Sequence, residues 1–436
     1  MLGGGKFTAQ NKKLPGTYIN FISATKASQN LAERGVAAVA LELNWGNDSD
    51  IFSVKSEEFA KNSMKIFGYN YTDEELRNLR ELFANVQTLL VYRLNNSGAK
   101  AKNTYATAKY SGIRGNDLKI VIAQNIDDTS KFDVSLYLET TIIDKQTITT
   151  AADLVDNDYV VWNKTATITA TAGISLAGGT NESVDGQAHQ TFLDKLETYS
   201  FNALCCSSND TTIKQLYMNY TKRMRDEIGV KFQTVVHNIS NADYEGIINL
   251  KNDIITDDES KKMNAIYWVT GIIASCAINK SNTNKIYDGE YSINVNYTQT
   301  QLEECLDKGD FVLHKVGDDI RVLEDINTLI TLTDEKGEDF KQNQTIRVLD
   351  QTATDIATLF NTRYLGSVQN NASGRVALWN DIVSIYKQYY QLQAIEDFDS
   401  SDIVVEQGND KKTVTVSGNI TPVNCMSKLY MTIVIE

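Results

Sequence analysis

The pattern of strand-forming and helix-forming segments changes twice along this chain, and that double change limits the folds open to it. Residues 35–95 alternate between strands and helices, beginning with the apolar run "GVAAVALELNWG", which predicts a buried strand. From about Asn95 to Gly179 the sequence is rich in Thr and Val and alternates with period two, which predicts strands with little helix. Strand–helix alternation returns at "QAHQTFLDKLETYSF". A β-rich domain inserted into an α/β domain is the simplest arrangement that gives this order.

A third region begins at about Leu332. Two long segments, "EDFKQNQTIRVLDQTATDIATLFNTRYLG" and "SGRVALWNDIVSIYKQYYQLQAI", predict helices, and short strands follow. The second helix carries an apolar stripe at helical spacing, which predicts a core face; its members are Val376, Trp379, Ile382, Val383, Ile385 and Tyr386. Earlier in the chain, Thr72 and Glu75 have the spacing of a capping box at the start of a helix.

These segments predict an α+β, multidomain fold. It has an α/β core with a β-rich insertion and a C-terminal α/β domain, with extended terminal arms. The predicted divisions are an N-terminal arm with a strand over 1–27, an α/β domain over 28–95 and 180–331, a β-rich insertion over 96–179, a C-terminal domain over 332–427 and a C-terminal strand or arm over 428–436.

Composition and charge exclude some classes of protein. Among the 436 residues, Lys and Arg number 42 against 56 for Asp and Glu, a net charge of −14, which argues against direct binding of nucleic acid. The first residues lack the apolar stretch of a signal peptide, and we expect synthesis and assembly in the cytoplasm. The most apolar run, Ala265 to Ile278, is too short to span a bilayer and predicts a buried helix, so no stable membrane insertion is expected. The five cysteines are odd in number and show no CxxC spacing, which indicates reduced thiols.

No segment has the pattern of a catalytic, cofactor or metal site. His189, His237 and His314 show no HExxH spacing, and the prediction for each is a solvent-facing or core side chain. The glycine-rich "LAGGTNESVDG" lacks a P-loop lysine, and "GIRGND" leads into a strand instead of a helix. Acidic pairs such as Asp127–Asp128 do not have EF-hand spacing. We therefore predict no enzyme activity, no cofactor and no metal.

Strand-like runs occur near both ends of the chain. "LPGTYINFI" lies close to the N-terminus and "KLYMTIVIE" covers the last nine positions. The two prolines lie at the start of a run, as Pro15 does, or just upstream of one, as Pro422 does. An edge strand with no partner in its own chain invites pairing with another chain. The pattern alone permits either an internal partner or a partner in a neighbouring subunit.

The order of several short motifs resembles a known family. Seven motifs occur in this order: "LPGTYINF", "RGVAAVALELNWG", "AKYSGIRGNDLKIVI", "LAGGTN", "GIIASCAINKSNT", "TRYLGSVQNNASGR" and "PVNCMSKLYMTIVIE". The order resembles that of similar segments in the tail sheath proteins of contractile phage tails and phage-tail-like bacteriocins. The resemblance is to the form found in Gram-positive phages and defective prophages. The motifs run through nearly the whole chain. Two depart from the family pattern: a Thr follows the first Pro-Gly, and "GGTNES" lacks the Gly-Gly-x-Asp-Gly form.

The resemblance implies a structural role. Subunits would form hexameric rings stacked around an inner tail tube, contract without nucleotide to drive the tube through a bacterial envelope, and contact baseplate and tail terminator proteins. Terminal arms would pair as strands with neighbouring subunits, residues 332–427 would be the C-terminal α/β assembly domain, and the insertion over 96–179 would face outward. The residues expected to pair are Gly16, Thr17, Tyr18, Ile19, Asn20, Phe21, Leu429, Tyr430, Met431, Thr432, Ile433, Val434 and Ile435. The competing interpretations are an α/β ligand-binding protein or enzyme with a β-rich accessory domain, and a surface-layer or adhesion protein.

Overall fold

The structure is a computed structural model that describes residues 34–435. These residues form two compact units, 34–350 together with 423–435, and 351–422. The strands are β1 Val36–Leu41, β2 Phe52–Lys55, β3 Thr88–Arg93, β4 Ala106–Ala108, β5 Leu118–Gln124, β6 Phe132–Leu138, β7 Thr141–Ile148, β8 Val160–Trp162, β9 Thr171–Ser175, β10 Ala203–Cys205, β11 Gln233–His237, β12 Ile247–Leu250, β13 Asp310–Phe311, β14 Leu313–Val316, β15 Asp319–Val322, β16 Ile395–Glu396, β17 Ile403–Gln407, β18 Val414–Gly418 and β19 Thr421–Pro422. The helices are α1 Ser56–Phe67, α2 Arg77–Phe83, α3 Gly186–Leu196, α4 Thr211–Arg223, α5 Ala265–Ser275, α6 Gln299–Asp307, α7 Asn343–Leu359 and α8 Ala372–Gln391. The predicted α+β, multidomain fold class is confirmed.

A seven-stranded sheet forms the centre of the first unit. Its order is β13-β12-β11-β10-β1-β3-β2, and every neighbouring pair is parallel except β2 with β3. In the middle of the sheet Ala37 of β1 is aligned with Ala203 of β10. The Asn202 side chain accepts a hydrogen bond from the Val36 N–H at 3.0 Å, across 166 residues of sequence. The central pairing of the sheet therefore spans the whole insertion.

Helices cover both faces of this sheet. Because successive strand side chains point to opposite faces, Ala37 and Val39 of β1 join the core formed with α1, α2 and α5, while Ala38 and Ala40 join the core formed with α3 and α4. Burial on both faces explains why β1 reads as a continuous apolar run. Helix α5 is buried from Ala265 to Ala274, which confirms the predicted buried helix.

The segment between β3 and β10 has its own core. Strands β7-β6-β5-β9 form an antiparallel sheet, and β4 pairs with β8. Leu118, Ile120 and Ile122 of β5 point into this core with alternating positions of β6, and Trp45 from the α/β part of the chain packs there too. The Trp-Gly turn after β1 thus contributes its large side chain to the neighbouring β-rich core.

In the second unit, α8 packs beside the hairpin of β17 and β18. Trp379 Nε1 donates a hydrogen bond to the Ile403 carbonyl at 2.8 Å, and Tyr389 Oη donates to Asp355 Oδ2 at 2.6 Å. The predicted apolar stripe is wrong at Val376, which is 57% exposed because it lies in the first turns of α8, before the buried positions that begin at Leu378.

Two further predictions from sequence are wrong in detail. Thr72 and Glu75 form no capping box, because the chain first makes a turn in which the Asn70 N–H donates to Asp73 Oδ2 at 2.7 Å, and Asp73 then precedes a short 3₁₀ helix. The segment "DIRVLEDINTLIT" is a strand only as far as Val322. Beyond it Asp325 is buried in an ion pair with Arg347, and this contact replaces a strand ladder.

Candidate assembly site

The predicted pairing residues fall in two places. Gly16 to Phe21 lie outside the described residues. Leu429 to Ile435 lie in the segment 423–435, called here the C-terminal segment, which forms neither helix nor strand. Within residues 34–435 the expected terminal strand is therefore not formed, and pairing with a second chain stays a prediction.

Large apolar side chains of the C-terminal segment are exposed on both sides of the backbone. The exposed fraction is 86% for Leu429, 72% for Ile433 and 93% for Ile435, which alternate along one face, and 90% for Tyr430 and 82% for Val434 on the other. Soluble proteins rarely leave a contiguous apolar surface of this kind uncovered unless it binds something. A strand that is apolar on both faces is typical of a position between two layers.

The start of this segment is held by side chains from the first turn of α7. Gln344 Nε2 donates to the Val423 carbonyl at 2.9 Å, and Gln344 Oε1 accepts from the Cys425 N–H at 2.9 Å. Asn424 Nδ2 donates to Thr345 Oγ1 at 3.2 Å. One amide side chain thus satisfies two backbone groups, as a neighbouring strand would. No sequence pattern indicated this contact, since Gln344 lies in an ordinary polar run.

The second unit presents short sheets with open edges. Strand β17 pairs with β18 from Ile403↔Gly418 to Gln407↔Val414, and β16 pairs with β19 through Ile395↔Pro422. Within the described chain each of these sheets has two strands, so an outer edge of each is unpaired. Such edges are templates for strand addition.

The glycine-rich motifs "GIRGND" and "LAGGTNESVDG", which lack the pattern of a phosphate site, are in contact with each other. Asn116 of "GIRGND" donates through Nδ2 to the Gly179 carbonyl at 2.9 Å and accepts from the Gly179 N–H at 2.8 Å. Asn181 Nδ2 also donates to Asn44 Oδ1 at 2.8 Å. These contacts fasten the start of the β-rich segment to its end. Sequence reasoning missed this pairing because the partners are 63 residues apart.

Two histidines and four of the five cysteines are buried in the fold, whereas His314 is half-buried and Cys425 is exposed. His189 is buried, its Nδ1 lies 3.0 Å from Tyr217 Oη, and burial lowers its pKa. His237 Nε2 lies 3.0 Å from Asp253 Oδ1, and burial lowers the pKa of this imidazole more than the carboxylate raises it. Cys205 and Cys206 are both buried, and burial raises the Cys206 pKa to about 12, so this thiol stays protonated. Within residues 34–435 no group of three or more His, Cys, Asp or Glu side chains could hold a metal ion.

Comparison with known proteins decides the family. Four family models match successive parts of the chain: the tail sheath protein Gp18 domain III N-terminal region over residues 34–94, the phage tail sheath protein beta-sandwich domain over 96–181, the phage tail sheath protein central domain over 182–328 and the phage tail sheath C-terminal domain over 335–436. The phage-like element PBSX protein XkdK of Bacillus subtilis is 31% identical over 99% of both chains. The chain belongs to the phage tail sheath family. The family resemblance predicted from the sequence is confirmed.

Solved sheath structures share the fold. The sheath tail protein of Desulfitobacterium hafniense is 34% identical, with a TM-score of 0.82 over 95% of this chain and 99% of that chain. The sheath tail protein Lin1278 of Listeria innocua is 31% identical, with a TM-score of 0.79 over 94% and 96%. Family membership makes this chain a structural sheath subunit of a phage or phage-like tail. Among its described helices, none combines the length and apolar character needed to cross a membrane.

Proposed function

We propose that this sheath protein polymerises as stacked hexameric rings around an inner tail tube and contracts to drive the tube through a bacterial envelope. Its partners would be further copies of itself, the tube protein, and the baseplate and tail terminator proteins. The subunit would assemble in the host cytoplasm and act mechanically, without catalysis. The proposed division is that made from the sequence, with arms over 1–27 and 428–436, an α/β domain over 28–95 and 180–331, an outward-facing insertion over 96–179 and an assembly domain over 332–427.

The C-terminal segment carries this proposal. Its apolar side chains are exposed on both faces from Leu429 to Ile435, while its start is held by Gln344. An extended segment with a fixed base and free backbone groups suits strand addition to a neighbouring subunit. Each backbone hydrogen bond formed in this way contributes about 1 kcal/mol net, so a run of them links two subunits firmly. Head-to-tail links form rings where they close and helical assemblies where they do not, and a helical stack of rings uses both kinds.

The main experiment removes Lys428 to Glu436 and examines the purified protein by electron microscopy. We expect a folded monomer with an unchanged thermal midpoint that forms no ring stacks or tubes, whereas the full chain does. Tubes formed as readily by the truncated protein would contradict the proposal. Loss of folding on truncation would favour pairing of this segment within its own chain.

Single proline substitutions separate strand pairing from simple apolar contact. Thr432→Pro and Ile433→Pro each remove one backbone N–H, and successive N–H groups of a strand point to opposite sides. At least one of these variants should therefore block polymerisation. Thr432→Ala keeps the N–H and is the matched control, and it should polymerise like the unmodified protein.

A further inference from the structure

Lys214 occupies an unusual position among the lysines of this chain. It lies in the first turn of α4 with only 6% of its surface exposed, less than any other lysine within residues 34–435. Its amino group donates no hydrogen bond there and forms no ion pair. Most of this side chain is packed inside the protein, while its ammonium group still reaches solvent and has no hydrogen-bond partner within these residues.

Lys214 lines a cleft of about 520 Å³ at the carboxyl edge of the large sheet. The cleft is built around the ends of adjacent parallel strands, with His237 as the last residue of β11 and Asp253 shortly after β12. The other lining residues are Asn209, Asn238, Glu259, Ser260 and Lys262. Ligands of open α/β sheets bind outside the carboxyl ends of the strands. This cleft lies at that edge, although beside β11 and β12 and not between β1 and β10, where the strand order reverses.

The acidic groups around the cleft already have partners. Asp253 Oδ1 lies 3.0 Å from His237 Nε2, and Glu259 Oε1 lies 2.6 Å from Lys262 Nζ. Asp210, which precedes α4, accepts hydrogen bonds from the Thr212 and Ile213 N–H groups and so caps the helix. The charge of Asp210 raises the pKa of Lys214, although burial lowers it more. Within residues 34–435 no carboxylate forms an ion pair with this ammonium, which stays open to a ligand.

We propose that this cleft binds one small oxyanion, a phosphate or carboxylate group, with Lys214 as its principal ligand. A cation would be repelled by the ammonium, and a neutral apolar group would leave it unpaired. An oxyanion neutralises the charge and accepts its N–H groups. The anion has two possible sources, a free ion or an acidic side chain of a second copy of this chain, and the experiment distinguishes them.

The first arm uses the full-length protein and inorganic phosphate, with chloride at equal ionic strength as the reference. Phosphate should bind saturably and raise the thermal midpoint, since a ligand that binds only the folded state stabilises it. Lys214→Gln should weaken binding at least about tenfold, or about 1.4 kcal/mol, while Lys214→Arg retains it. Lys61→Gln is the matched control, because Lys61 is exposed on α1, and it should bind phosphate normally.

A measurement on the unmodified protein keeps the test independent of whether the variants fold. Phosphate should slow acylation of Lys214, followed by mass spectrometry, and leave Lys61 unaffected. The second arm, which rests on the proposed self-assembly, applies a carbodiimide to assembled and unassembled protein. A zero-length cross-link from Lys214 to an Asp or Glu of a second copy, found only after assembly, assigns the site to a protein carboxylate. Absence of both phosphate protection and this cross-link would overturn the proposal, whatever the outcome of the truncation experiment.

Discussion

Arg225 and Asp350 form a two-point ion pair inside the first unit. Arg225 Nη1 lies 2.6 Å from Asp350 Oδ2 and Nη2 lies 2.9 Å from Asp350 Oδ1, and the guanidinium is 4% exposed. The pair joins the helical turn that follows α4 to the first half of α7. It therefore ties the elements that follow β10 to the helix whose first turn holds the C-terminal segment.

Arg225→Met should lower the free energy of unfolding by about 3–5 kcal/mol, because it removes the guanidinium that compensates the charge of the buried Asp350 carboxylate. Urea unfolding followed by tryptophan fluorescence measures the loss. Arg223→Met is the control, since its partner Glu197 is partly exposed and the expected loss is about 0–1 kcal/mol. Equal losses in the two variants would show that burial of the pair is unimportant.

Gln344→Ala should free the base of the C-terminal segment without unfolding the protein. Two hydrogen bonds to the backbone are lost, each worth about 1 kcal/mol, so we expect hydrogen exchange at the Cys425 amide to become about tenfold faster or more. Hydrogen-exchange mass spectrometry on peptides from 423–435 makes the measurement. Gln342→Ala, which removes only a 3.3 Å contact to Glu324, should leave those peptides unchanged.

The protein should lose stability as the pH falls from 7.5 to 5.5. Burial lowers the pKa of His189, His237 and His314 below the ordinary value of 6.5, so the unfolded chain binds more protons in this range. The stability is present above the unfolded pKa and declines below it, by at most about 1.4 kcal/mol per pH unit for each histidine.

Substitution of single histidines tests this assignment. His189→Gln should flatten the dependence of the thermal midpoint on pH, because it removes a buried titrating group while its amide can still contact Tyr217 Oη. His314→Gln should change the slope less, since His314 is only half-buried. A slope unaffected by either substitution would assign the pH dependence to other groups.

Gly112→Ala should destabilise the junction of the β-rich segment by about 3 kcal/mol or more. Gly112 has φ +118°, and an added Cβ would lie 2.2 Å from the Asn44 carbonyl oxygen, so backbone strain and a clash act together. Gly178→Ala introduces backbone strain without a clash, because its φ is +82° and nothing lies within 4 Å of an added Cβ. The expected loss in the free energy of unfolding is about 1–2 kcal/mol. Thermal unfolding compares the pair, and similar losses would exclude the clash.

The spacing of apolar residues correctly predicted the helices and strands whose burial follows from local sequence. The continuous apolar run of β1 and the all-round apolar character of α5 both indicate burial, and both are buried. The failures come from contacts that periodicity does not describe. The Asn70–Asp73 turn delayed the start of α2, and the buried Asp325 ended the strand after Val322.

The candidate site was predicted only in part. Alternation placed Leu429 and Tyr430 on opposite faces, but nothing in that pattern showed that both faces are exposed. The contact of Gln344 with Cys425 and the contact of Asn116 with Gly179 depend on segments distant in sequence, 81 and 63 residues apart. Lys214 gave no signal either, since a lysine near the start of a helix is ordinary until its burial is known.

The pairing of β1 with β10 has a consequence for synthesis. The contact between Val36 and Asn202, which are 166 residues apart, can form only after β10 has been synthesised. The β-rich segment between them consists of nearby antiparallel strands, and such local pairings form fastest. On the ribosome we expect this segment to fold first, while β1 and β3 remain without their central neighbour until β10 has left the exit tunnel.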